Sequence, residues 1–271
     1  AALQRLYAEL QAAGAVPPPS RRLLLGHVAE ALDLFDEAER WYQGVPHGAG
    51  SDLALLRLAR LHDRRGDPVR AIERLKDLQS DTSADGERVR DSYLVEADIL
   101  ERGDRAGEAR LALDRGLAVF EGDPVLLYAR AMLLERADQV DAALADLRAI
   151  LDEDPADAQA LNAYGYTLAE RRGAYAEALP YIERAHALLP DSAPILDSLG
   201  WVRFRLGERQ ESLALLRQAW EKLRDPEIAA HLGEVLWTLG QRDEARGVWR
   251  EGAAIDPDNR ALRRALETFK P

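Results

Sequence analysis

The stretch Ile195-Leu196-Asp197-Ser198-Leu199-Gly200-Trp201-Val202 sets the architecture. Leu196 and Leu199 lie three apart and precede a glycine, which gives one helix a buried stripe with a small residue on it. Leu206-Gly207 then interrupts the pattern, because glycine takes the left-handed conformation that ends a helix. Beyond the turn stands a second small residue, Ser212. Four positions later comes Leu216, on the same face of a second helix. Two small residues, one per helix, let antiparallel helices approach closely at a fixed crossing.

The same arrangement recurs in both directions along the chain. Gly26, Ala59, Ala97, Ala131, Gly165, Gly200 and Gly233 are separated by 33, 38, 34, 34, 35 and 33 residues. A second small residue follows each by twelve or thirteen positions: Ala38, Ala71, Ala109, Ala143, Ala178, Ser212 and Ala245. Four residues further on stand Tyr42, Leu75, Leu113, Leu147, Ile182, Leu216 and Trp249, which fill the layer beside each crossing. Leu161, Tyr164 and Leu168 bracket Gly165 as Leu196 and Leu199 precede Gly200. Turns are expected at Arg172-Gly173, Leu206-Gly207 and Leu239-Gly240, and Pro155, Pro190 and Pro257 close repeats by withholding an N–H. A period of about 34 residues is that of a stacked helix-pair array, in which each unit packs on its neighbours.

Composition narrows the chemistry. The chain is 47% hydrophobic and 31% charged, enough for a continuous core. A net charge of -12 repels a phosphate backbone, and no basic stretch overrides it, so nucleic acid is not an expected partner. With zero cysteines, disulfides, thiolate catalysis and zinc–cysteine sites are excluded together. His27, His47, His62, His186 and His231 show no His-x-x-x-His or Glu-x-x-His spacing, so no metal is expected. Asp152-Glu153-Asp154 lacks the glycine and terminal glutamate of a calcium loop and fits a solvated helix end. No glycine-rich phosphate loop, nucleotide fingerprint or nucleophile elbow occurs, so neither cofactor nor enzymatic activity is expected. No apolar run is long enough to span a membrane. The opening Ala1-Ala2-Leu3 lacks an initiator Met, which suits a fragment trimmed from a longer chain.

The spacing resembles the tetratricopeptide-repeat (TPR) family, whose consensus has small residues at positions 8, 20 and 27 of each unit and Pro at 32. That resemblance implies an all-α TPR solenoid, a right-handed superhelix of antiparallel helix pairs. Residues 1–19 are expected to form an N-terminal helix and Pro-rich turn at Pro17-Pro18-Pro19. About seven units follow over 20–257, and a polar helix, Arg260 to Phe269, caps the core within 258–271. The match is strongest in the last three units. It weakens in the third, where Glu96 takes a usual Leu position and Gly116 is expected to loosen the second helix. The 38-residue interval holds Ser80-Asp81-Thr82-Ser83-Ala84-Asp85-Gly86, expected as an extended inter-repeat loop.

Family geometry places first-helix positions 2, 5, 9 and 13 on the inner groove. Here these give Asn162, Tyr166 and Glu170 in one unit, Asp197, Trp201 and Arg205 in the next, and Glu227 and Glu234 in the last. An Asn to bond a backbone amide, two aromatics and several charges suit a protein or peptide ligand. The competing expectation is that Tyr166 and Trp201 pack between adjacent helices. Trp41, Trp220, Trp237 and Trp249 are expected in core or inter-repeat packing. The carboxylate clamp of chaperone-tail TPR domains is not assembled, because the corresponding positions near Gly26 and Ala59 hold Leu23, Leu24, His27, Leu56, Arg57 and Arg60. Arg57 and Arg60 remain able to meet one acidic side chain.

A narrower resemblance rests on Leu161-Asn162-Ala163-Tyr164-Gly165-Tyr166-Thr167-Leu168-Ala169, on the stretch quoted first, and on His231-Leu232-Gly233-Glu234-Val235-Leu236-Trp237. Residues 158–259 look like the C-terminal half of LbcA-type proteobacterial TPR lipoproteins. The resemblance implies a periplasmic adaptor that binds a carboxy-terminal-processing protease and supports turnover of peptidoglycan hydrolases. Its outer-membrane lipid anchor would lie on a segment missing from this chain, and a cytoplasmic location stays open. The alternative function is a general assembly scaffold for envelope, pilus or secretion machinery. An enzyme on a helical toroid would need paired inward carboxylates at a defined separation, and no spacing selects such a pair.

Overall fold

The computed structural model describes residues 2–12, 16–48 and 50–270. Ala1, Ala13 and Pro271, which belong to the expected terminal segments, lie outside the described residues. Among those described there are sixteen helices and no strand. The chain divides into two compact units, residues 1–137 and 138–271.

In the N-terminal unit, α1 (Ala2–Ala12) precedes three helix pairs: α2 (Pro19–Ala31) with α3 (Phe35–Gln43), α4 (Ser51–Arg64) with α5 (Pro68–Gln79), and α6 (Gly86–Arg102) with α7 (Ala106–Val119). The unit ends with α8 (Pro124–Arg136). Pro19 is the first residue of α2, not the end of a turn, because a missing N–H costs nothing in a helix's first turn. Tyr7 fastens α1 by donating to Glu37 and accepting from Trp41 Nε1 at 2.8 Å. The 38-residue interval is shared between a connection over 80–85 and the length of α6, 17 residues, with Gly86 already helical.

In the third pair Glu96 takes the expected Leu position, while Gly116 departs from expectation. Glu96 is almost fully buried, and its carboxylate accepts from Arg115 Nη2 at 2.8 Å and Gln79 Nε2 at 2.9 Å, so polar partners replace the usual Leu packing. Gly116 does not loosen α7. A Cβ there would stand 3.1 Å from Tyr93 and 3.2 Å from Leu126, so the glycine permits a close approach.

The C-terminal unit begins with α9 (Val140–Glu153). It continues with α10 (Ala158–Arg172) against α11 (Tyr175–Leu188), α12 (Ala193–Arg205) against α13 (Arg209–Lys222), and α14 (Pro226–Thr238) against α15 (Arg242–Ile255). α16 (Arg260–Phe269) packs on α14 and α15. It buries Leu262 and Ala265 and lays Phe269 on Trp249 with ring centroids 5.6 Å apart, which covers the end of the core. Within this unit α10, α12, α14 and α16 touch in succession, while α11, α13 and α15 stand further apart. Curvature therefore puts the first helix of each pair on the inside.

The small-residue register operates as a steric code. A Cβ on Gly26 would meet Tyr42, one on Gly165 Ile182, one on Gly200 Leu216 and one on Gly233 Trp249, the large residues of the same repeats. At the turns between paired helices, Gly173, Gly207 and Gly240 have φ of 64°, 94° and 81°. The equivalent turns at Asp33 and Asp104 reach φ of 57° and 58°, and Asp138 ahead of α9 reaches 62°, each with a side chain that tolerates this region better than most.

Candidate functional site

The inner face of the C-terminal unit carries all eight residues singled out from the sequence, and hydrogen bonds join four of them in two pairs. Tyr166 on α10 donates its hydroxyl to Glu227 Oε1 on α14 at 2.5 Å, passing over α12. Glu170, one turn further along α10, accepts from Trp201 Nε1 on α12 and from Arg264 Nη1 on α16, the latter at 3.2 Å. Four helices are thereby cross-linked through side chains. In a plain solenoid each repeat meets only its neighbours.

Trp201 is 0% exposed, its indole stacked on the His231 imidazole with centroids 4.2 Å apart and planes at 16°. Arg205, exposed at the end of α12, lies over both Trp201 and Tyr175, 5.3 Å and 4.7 Å from the ring centroids. Tyr166, Asn162, Glu170, Glu227 and Glu234 are half-buried and Asp197 is buried. Trp220 and Trp249 are buried, as sequence suggests for core residues. Trp41 and Trp237 are only half-buried, Trp237 lying between Trp249, Phe269 and the guanidinium groups of Arg242 and Arg246.

Spacing along one helix misses His231. It is 1% exposed and its Nδ1 lies 3.0 Å from both carboxylate oxygens of Asp197. The partner is 34 residues away, one repeat, so the signal is a pair at the repeat period rather than at i,i+4. Burial works against an imidazolium here, but Asp197 first, then Glu227 and Glu170, outweigh it and hold the pKa above the ordinary histidine value. Burial likewise raises the carboxyl pKa values of Glu227 and Glu234, with His231 opposing in both cases. The Tyr166 phenol is pushed well up by burial and by the carboxylates around it, Glu227 foremost. His231 Nε2 has no hydrogen-bond partner, so the His–Asp pair holds no hydroxyl ready for attack.

Beside this network lies a pocket of about 190 Å³. Asn162, Tyr166, Pro194, Asp197, Ser198, Leu223, Asp225, Glu227 and Ile228 line it. Its charged side chains are all acidic, and Asn162 Oδ1 is cut off from solvent without a partner. Among the described residues no group of three or more His, Cys, Asp or Glu side chains is placed to hold a metal ion, and no helix is long and apolar enough to cross a membrane.

Residues 128–193 match the family model for the tetratricopeptide repeat. The TPR repeat-containing protein PA4667 of Pseudomonas aeruginosa is 44% identical over 142 residues, 52% of this chain and 24% of its own length. The chain therefore spans about a quarter of the curated relative it matches. The thermophilic TPR protein TTC0263 of Thermus thermophilus has 25% identity and a TM-score of 0.57, covering 67% of this chain and 100% of its own. A tetratricopeptide repeat protein of Parabacteroides merdae reaches a TM-score of 0.69 at 13% identity over 93% of this chain and 99% of its own. PilW, a type IV pilus biogenesis factor, reaches 0.60 at 17% identity over 80% and 98%. With its helix pairs, steric code and these likenesses, the chain has the fold of a tetratricopeptide-repeat solenoid.

Proposed function

We propose that this chain is a non-catalytic adaptor that holds a protein partner on the inner face of its C-terminal unit. The partner in this reading is a periplasmic carboxy-terminal-processing protease together with its cell-wall hydrolase substrates, and the full-length protein is anchored to the outer membrane by a lipid. The TPR fold supports a protein-interaction scaffold in general. One observation carries the choice of surface: Asn162, Tyr166, Glu170, Asp197, Glu227 and Glu234 gather polar groups on the inner face, where a continuous apolar core needs none, and leave a buried amide oxygen unsatisfied. The protease itself comes from the resemblance of residues 158–259 to LbcA-type adaptors. An adaptor of this kind acts by raising the local concentration of substrate at the enzyme.

The test is an affinity pull-down from cell-envelope extract with the full chain beside an Asn162→Ala/Arg205→Glu variant confirmed as folded by circular dichroism. Trp201 is left unchanged, because truncating a fully covered indole would open the core. Recovery of a processing protease by the wild type, reduced in the variant and with no peptide hydrolysis by the chain alone, is the expected result. Recovery of pilus or secretion components instead would make the chain an assembly scaffold. Equal recovery by both proteins would remove the inner face as the docking surface.

A further inference from the structure

We infer that the pocket between α10, α12 and the start of α14 receives the side chain of a lysine from an extended segment of the bound protein. This inference rests on the inner-face reading above and adds the chemistry of the ligand. Three carboxylates line the pocket, Asp197, Asp225 and Glu227, with no cationic side chain among the lining residues. The nearby cations are committed elsewhere: Arg264 to Glu170, Arg205 to the faces of Trp201 and Tyr175, and His231, behind the lining, to Asp197. Asn162 also lines the pocket, and its buried Oδ1 has no partner. Such a lining offers oxygen lone pairs and asks for a donor.

Both oxygens of Asp197 face His231 Nδ1, while Glu227 and Asp225 have structural engagements that leave capacity over. Glu227 uses Oε1 for the Tyr166 hydroxyl. Asp225 uses Oδ1 to cap the amides of Glu227 and Ile228 at 2.8 Å and 3.4 Å, so the N-terminal amides of α14 are not presented to an anion. A carboxylate has about four lone-pair sites, so both retain acceptors. A compact ammonium with three donors suits acceptors that converge from α10, α12 and the turn before α14 better than a planar guanidinium fork does. Pro194, Leu223 and Ile228 give the aliphatic stem apolar wall. Burial already disfavours the ionised form of Glu227, and a bound cation relieves that cost.

The experiment is a ¹H–¹⁵N chemical-shift titration of the full chain with acetyl-Ala-Lys-Ala-amide, using the norleucine peptide as a neutral control of similar length. Saturable shifts at Ala163, Ser198 and Ile228 are expected, with the norleucine peptide about tenfold weaker or more, as for loss of a charge-assisted hydrogen bond. Glu227→Gln, which can still accept from Tyr166, should weaken the lysine peptide to a similar extent. Glu221→Gln, an exposed carboxylate on α13 outside the pocket, should not change it. Equal binding of the two peptides, or equal weakening by the two variants, overturns the inference. If the peptide fails to bind while the protease is still captured, the pocket is wrong and the adaptor reading survives. If the peptide binds at this pocket and no protease is captured, the pocket inference stands and the adaptor reading falls.

Discussion

Replacing Gly233 by alanine tests the steric code at its tightest crossing. A Cβ at this position would stand 2.6 Å from Trp249 Cδ1 and closer still to Nε1 and Cε2. Trp249 is 1% exposed and donates Nε1 to the Ala230 carbonyl at 3.3 Å, so it has no free direction in which to retreat. In an exposed helix, Gly→Ala is worth about 1 kcal/mol in favour of folding. Overpacking a filled core costs about 1–3 kcal/mol, and displacing the indole sacrifices a hydrogen bond of about 1 kcal/mol. The net expectation is a loss of about 2 kcal/mol, opposite in sign to propensity alone. Trp249→Leu alone should cost about 2–4 kcal/mol through the cavity it leaves. Combined, the two changes recreate the Ala/Leu pairing of Ala59 with Leu75 and Ala97 with Leu113, and should cost less than their sum by about 1–2 kcal/mol. Urea unfolding followed by circular dichroism, with amide exchange of α14 and α15 to localise the change, gives the numbers. Stabilisation by Gly233→Ala with Trp249 in place, or strict additivity in the cycle, would refute the crossing geometry.

The remaining expectations are smaller and independent. Asp104→Gly removes a side chain from a left-handed residue at φ 58° and should stabilise the N-terminal unit by about 0.5–1 kcal/mol in thermal melts. Arg115→Ala strips the buried Glu96 of its charged partner; because Arg115 is 49% exposed, the loss should be about 1–3 kcal/mol rather than that of a fully buried pair, whereas Glu96→Leu should be neutral or stabilising in urea titrations. His231 faces Tyr166 and Glu170 from α10, Asp197 and Trp201 from α12, and Glu227 and Glu234 on its own helix, with Arg205 and Arg264 nearby. Its raised pKa means that the folded state holds the proton more tightly than the unfolded chain. Its contribution is thus complete below about pH 6.5, the unfolded value, and lost as pH rises through the folded one. Glu227 and Glu234, also raised, lose theirs in the same direction starting from about pH 4.5. Amide exchange in α14 should therefore quicken as the pH rises above about 6.5, beyond its intrinsic pH dependence, and His231→Gln should flatten that excess.

Much of the fold is legible because it is written in size. Gly200 with Leu216 and Gly233 with Trp249 can be paired on paper, since each crossing demands a small residue and each gap a large one at a fixed offset. Gly173, Gly207 and Gly240 announce their turns for the same steric reason. Asp33, Asp104 and Asp138 do not, because aspartate more often caps a helix than adopts positive φ. The eight candidate residues come from the resemblance to TPR geometry, and their connections are not contained in it. Trp201 lies on the inner face by register and is nonetheless fully covered, because His231 one repeat later rises against its ring. Tyr166 meets Glu227 at a distance of 61 residues, which no single-helix pattern contains. Such contacts emerge only when first helices are compared one and two periods apart.

Whether a protein partner lies on the inner face of the C-terminal unit is open to hydroxyl-radical footprinting of the full chain, with and without the captured processing protease. Protection is expected on α10, α12 and α14, at Tyr166, Arg205 and Glu234 above all. Protection confined to α11, α13 and α15, with those three residues unchanged, would place the partner on the outer face and contradict the adaptor geometry proposed for this chain.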